Sequence, residues 1–172
     1  SRVKKINYKA QVDRIEGGVA KSQSGEFKAD KIIVATDATT ATQLLGLPEV
    51  PRMAGCITWY HSTPFSPSAT GRLVVDGQNR GPVINTLVIS KISKDYAPAG
   101  QNLISTTTDL SATESDVRRH LSILWGTSTH DWQLIAKYEI PAALPIQGIG
   151  RALTQNVKVS DQLYVVGDHR TV

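Results

Sequence analysis

The sequence predicts an α+β fold: a mixed or antiparallel sheet with flanking helices, and two further buried strands set apart from it. Three observations point there. Residues 56–62, Cys-Ile-Thr-Trp-Tyr-His-Ser, place Ile57, Trp59 and His61 on one side and Thr58, Tyr60 and Ser62 on the other, the period-two pattern of a strand. The runs Ile32-Ile33-Val34-Ala35 and Leu163-Tyr164-Val165-Val166 are continuously apolar, as strands covered on both faces are. Residues 111–126 carry one well-signalled amphipathic helix.

Taken in order, Val12, Ile15 and Val19 spaced through polar residues predict short strands, and Ser22-Gln23-Ser24-Gly25 predicts a turn into a strand over 26–28. After the run at 32–35, the series Thr36-Asp37-Ala38-Thr39-Thr40 offers N-cap side chains for a helix over 41–47, with Pro48 and Pro51 as its stop. Residues 72–75 and 83–90 flank the turn-rich Asp76-Gly77-Gln78-Asn79-Arg80-Gly81-Pro82 and read as a hairpin, with 102–108 as the next strand of an antiparallel meander. Ser111-Ala112-Thr113-Glu114 has capping-box spacing, and Val117, Leu121, Leu124 and Trp125 form a stripe that Gly126 ends. On this helix His120 falls on the polar side, beside Arg118 and Arg119. Residues 132–140 predict a strand halted by Pro141 to Pro145, residues 147–157 a short helix, and residues 163–166 a final strand.

The 172 residues, 40% hydrophobic and 20% charged, exclude a collagen, a coiled coil, a disulfide scaffold and a disordered tail. No apolar run reaches the roughly 20 residues of a membrane span, and no signal-peptide pattern opens the chain, so a cytoplasmic protein is expected, with membrane association left open. The net charge of +4 comes from scattered basic residues; the densest group, Arg2, Lys4, Lys5 and Lys9, follows a strand-like stretch, and nucleic-acid binding is not expected. Cys56 is the only cysteine, and the four histidines lack ligand spacing, so no metal site is expected. Walker A and Gly-x-Ser-x-Gly strings are absent, and no catalytic residue stands out. In Gly148-Ile149-Gly150-Arg151-Ala152-Leu153, Leu153 stands where a dinucleotide fingerprint needs glycine. Ser1 in place of Met, and strand-like residues close to both ends, point to a piece of a larger protein.

Two strings carry more chemistry: Gly25 to Thr36, a turn, a short strand and a buried strand ending in small residues; and Val165-Val166-Gly167-Asp168, a strand ending in glycine and an acid. With Val12-Asp13-Arg14-Ile15 before them and Ala143-Leu144-Pro145 between them, their order resembles the FAD-dependent amine oxidase, phytoene desaturase and protoporphyrinogen oxidase superfamily. The resemblance implies FAD as cofactor and hydride transfer from a small, hydrophobic organic substrate. It implies residues 1–45 and 161–172 as parts of an incomplete FAD-binding domain and residues 46–160 as a substrate-binding domain. It assigns Val12, Ala35, Thr36, Gly167 and Asp168 to the cofactor, while Trp59, Tyr60, His61 and Tyr138 are the candidates to line the substrate. The strands at 32–35 and 163–166 should then lie side by side, with an open carboxyl end. The other reading from the residues is a non-enzymatic α+β binding or scaffold domain.

Overall fold

A computed structural model describes residues 4–47, 52–146, 148–150, 152 and 154–170. In chain order the elements are β1 (Val12–Glu16), β2 (Val19–Ser22), β3 (Gly25–Lys28), β4 (Ile32–Val34), α1 (Ala38–Leu45), β5 (Met53–Thr63), β6 (Val74–Val75), β7 (Val83–Val88), β8 (Asn102–Thr108), α2 (Glu114–Trp125), β9 (Gln133–Pro145) and β10 (Leu163–Val165). The chain divides into two compact units, residues 1–52 with 144–172, and residues 53–143.

In the first unit, β1, β2 and β3 form an antiparallel meander. Gly17 and Gly18 turn β1 into β2 with φ of 53° and 76°, a left-handed pair that glycine adopts without Cβ strain. β4 and β10 pair in parallel, Ile32 opposite Leu163, Ile33 opposite Tyr164 and Val34 opposite Val165. Lys31 reinforces the pair from one face, its Nζ 3.2 Å from the Tyr164 hydroxyl. On the other face Val34, Val165 and Ala41 of α1 are buried together, with Ile15 of β1 packed against them. α1 opens on Asp37, whose carboxylate accepts the Thr40 amide at 3.0 Å, and it closes on Gly46 in the left-handed conformation, ahead of the prolines expected to stop it. Pro48 and Pro51 lie outside the described residues.

The second unit is a five-stranded sheet, ordered β6-β7-β8-β5-β9, with α2 on one face. The alternation read at 56–62 is realised: Ile57, Trp59, His61 and Thr63 are buried, as are Ile104, Thr106 and Thr108 of β8 opposite them. Val117 and Leu121 of α2 close this core together with Trp132. The Trp59 indole donates to the Thr108 hydroxyl at 2.9 Å, so its N–H is satisfied inside the core.

Several expectations are corrected. Residues 4–11 are not strand. The α2 cap is Thr113, not Ser111: the Thr113 hydroxyl accepts the Asp116 amide, and Ser111 is instead engaged by the Asp109 carboxylate in the preceding turn. β9 runs through Pro141 to Pro145. It is an edge strand, the place where a sheet tolerates proline, because an edge has one side with no ladder bond to lose. Among the described residues of 147–157 there is turn and extended chain and no helix; Gln147, Arg151 and Leu153 of that stretch lie outside them.

His120 is the largest departure: it is 1% exposed, not on the polar side. Its Nδ1 accepts the Val83 backbone N–H at 3.0 Å, so the ring proton sits on Nε2 and is donated to the Asp76 carboxylate at 2.9 Å. Asp76 also accepts the Gln78 and Arg80 amides and the Arg80 guanidinium, which first of all holds its carboxyl well below the usual carboxylate range. The β6–β7 connection is thereby fastened to α2, and Gly81 is required there because a Cβ would stand 2.7 Å from the His120 ring. His120→Leu should lower stability by about 1–3 kcal/mol, the cost of leaving the Val83 N–H buried without an acceptor. Urea unfolding followed by circular dichroism checks this, and an unchanged midpoint would contradict it.

Candidate functional site

Four of the five residues assigned to the cofactor lie where β4 and β10 end. The two strands run in parallel and finish together, and the Val166 amide donates to Val34 O at 2.9 Å as the last rung. Beyond that rung the chain exposes Ala35 and Thr36 on one side and Gly167 and Asp168 on the other. A Cβ on Gly167 would come within 3.7 Å of Thr36 O, which measures how near the two turns are. Val12 is elsewhere, in β1 opposite Ser22 and half-buried.

Local chemistry shapes this edge. Thr36 leads into Asp37, the cap of α1, so the first turn of that helix begins two residues past the end of β4. Thr40 hydrogen bonds hold the Asp37 carboxyl below its ordinary pKa. Gly167 has φ of 149°, and a Cβ there would meet the His169 ring at 2.9 Å. His169 is 5% exposed directly beneath, whereas Asp168 is 54% exposed at the surface. The turn is closed by Arg170, whose amide donates to Gly167 O at 3.0 Å and whose guanidinium donates to Gln155 at 3.1 Å. The reading from sequence missed His169, Arg170 and Gln155; the polar run Asp168-His169-Arg170 after an apolar strand was the available signal.

At this edge the exposed Asp168 carboxylate is able to accept hydrogen bonds from hydroxyl donors. In open parallel sheets, ligands bind outside the carboxyl ends of the strands. Among the described residues no group of three or more His, Cys, Asp or Glu side chains is gathered to hold a metal ion. No helix among them is long and apolar enough to cross a membrane.

The four candidate substrate-lining residues separate by strand face. Trp59 and His61 are buried under α2, at 2% and 0% exposure. Tyr60 points to the opposite face, where the Tyr138 ring meets it edge-on with centroids 6.0 Å apart. The pairing register extends that face into rows, Tyr60–Ser105–Leu87 and Thr58–Thr107–Asn85, all partly exposed and uncharged. Burial lowers the His61 pKa to about 4, with a further push from the Arg118 charge, so its imidazole is neutral at pH 7.

No protein-family model matches the chain, and no curated protein matches it. Solved structures do share its fold. An oxidoreductase from Methanosarcina mazei superposes with a TM-score of 0.63 over 94% of this chain at 13% identity. A protein described as a protoporphyrinogen oxidase from Exiguobacterium sp. 255-15 gives 0.59 over 82% at 17% identity, and a reduced UDP-galactopyranose mutase gives 0.60 over 82% at 14% identity. The chain spans 43%, 36% and 35% of those three chains, less than half of each.

Proposed function

We propose that this chain is part of a flavin-dependent oxidoreductase, residues 53–143 serving as a substrate-binding portion and the β4/β10 edge as part of the FAD-binding domain. The observation that carries the reading is the parallel pairing of β4 with β10, which brings Ala35–Thr36 and Gly167–Asp168 to one edge. The residues at this edge fit such a cofactor: Ala35 and Gly167 are small and exposed, and the Asp168 carboxylate stands at the surface. A complete Gly-x-Gly-x-x-Gly turn does not occur in these 172 residues, so the amides that cradle a diphosphate would come from outside them.

When bound, FAD supplies the hydride acceptor. The chain's own residues bind and orient. Asp168 would accept hydroxyls of the cofactor, the small Ala35 and Gly167 would permit close backbone approach, and the uncharged sheet face around Tyr60 and Tyr138 would receive the substrate. No side chain of this chain is needed as acid or base.

The test is to express the complete open reading frame that contains this chain and record its visible spectrum. A flavin band is expected, and Asp168→Ala should weaken FAD retention about tenfold to a hundredfold, the value of a hydrogen bond to a charged group. A full-length protein without that band, and with none after FAD is added, would favour the scaffold reading. The 172-residue chain alone should bind FAD only weakly, and a submicromolar titration would contradict this.

A further inference from the structure

The geometry points to a second ligand site, on the 53–143 unit, that takes a small uncharged polyol ring such as a sugar. Its place is the cleft between residues 63–67, which follow β5, and residues 127–132, which connect α2 to β9. The cavity is about 340 Å³, within the roughly 300–1,000 Å³ usual for small-ligand pockets.

Both walls are built in advance. On one side the Asn102 side chain donates to the carbonyls of Thr63 and Pro64, and the Phe65 amide donates to the Thr63 hydroxyl. On the other, the Arg118 guanidinium donates to Thr129 O at 2.7 Å, and the Thr129 hydroxyl donates back to Arg118 O. A ligand would therefore meet ordered loops, with little of the binding energy lost to arranging them.

The lining selects the chemistry. Phe65 is 84% exposed on its anchored loop, an apolar ring offered to solvent at the rim, and Trp132 forms a buried wall at 5% exposure. Around these rings stand Thr63, Thr127, Ser128 and the Asp131 carboxylate. Behind Trp132 lies His61, its ring centroid 6.2 Å away and neither ring nitrogen hydrogen-bonded. Among the described residues no Lys or Arg lines the cleft, and the Arg118 guanidinium behind one wall is engaged with Thr129 O and Glu114, so an anion finds no free cation there. A cation would depend on Asp131, but that side chain is 92% exposed and paired with His130, and water screens its attraction. What remains is directional: hydroxyls that accept and donate, a carboxylate that accepts, and a ring to stack on. That combination matches a ring bearing C–H on its faces and hydroxyls on its edge.

Saturation-transfer NMR on the whole chain tests this, with methyl β-galactopyranoside and myo-inositol as polyol probes and choline as the cation probe. Transfer to the ring C–H protons of either polyol is expected. Phe65→Ala should raise its Kd about tenfold, and Thr127→Val should weaken it too, while Ile84→Ala, at an exposed position of β7 outside the cleft, leaves it unchanged. Amide spectra of each variant confirm that the fold is kept. Transfer to choline alone, to none of the probes, or to polyols undiminished in both cleft variants would overturn the proposal. None of these results depends on FAD, so the proposal and the flavin reading fail separately.

Discussion

Trp59→Ala is expected to destabilise the 53–143 unit by about 3–5 kcal/mol, the range for truncating a buried aromatic side chain. The indole is 2% exposed in a core shared with Ile57, Ile104 and Leu121, and it donates to the Thr108 hydroxyl. Truncation leaves a cavity and removes one hydrogen bond, while the Thr108 hydroxyl still donates to Asp109 O at 3.0 Å. A domain of ordinary stability holds only about 5–15 kcal/mol, so a large part of it would be lost. Tyr60→Ala, one residue along on the open face, should cost clearly less. Urea unfolding of the two variants side by side decides the matter. Equal losses would mean that the two faces of β5 are not distinguished as described.

Acidification from pH 7 to 4 is expected to remove about 3 kcal/mol through His61 alone, from a shift of the usual 6.5 to about 4 at roughly 1.4 kcal/mol per pH unit. The sign follows from the direction. The folded ring resists protonation because burial strips it of water and Arg118 repels the cation, whereas the unfolded ring takes its proton near 6.5. Above 6.5 neither state holds the proton, and this group gives no pH dependence. Between 6.5 and about 4 the unfolded state holds more protons, so stability falls; below 4 this contribution is constant. Asp76 acts in a lower window: its folded pKa is depressed, so its contribution is complete above the ordinary 3.8 and lost as pH falls below that. Unfolding free energies at pH 7, 5.5 and 4.5 should therefore slope downward in the wild type, and the slope should flatten in His61→Phe. A slope unchanged by that substitution would remove His61 from the explanation.

Much of the edge where β4 and β10 end was legible because it is made of short-range signals. The continuous apolar runs marked the two strands, and the small or acidic residues that follow marked where they stop; cover on both faces was expected and is not found, since Val34 and Val165 are buried while Ile33 between them on the other face is 64% exposed. Asp37 and Gly46 were likewise available as helix punctuation, although the stop was read two residues late, at proline. The alternation of Ile57, Trp59 and His61 with Thr58, Tyr60 and Ser62 also needed only period-two geometry.

Other features depended on partners distant in sequence. His120 lies between two arginines on its helix, and nothing local shows that Val83 and Asp76, 37 and 44 residues away, supply an N–H and a carboxylate that make burial of the ring affordable. Pro141 and Pro145 stop a strand in a local reading, and only the place of β9 at the sheet edge removes their cost. The cleft between residues 63–67 and 127–132 is formed by two loops far apart in the chain. By itself, then, the sequence determined the α+β class, the two faces of the strand over 56–62 and the two strand ends, because backbone geometry and side-chain polarity act over a few residues. The tertiary structure alone decided which buried polar groups are satisfied and which loops meet, because hydrogen-bond partners and cavities are set by distance in space.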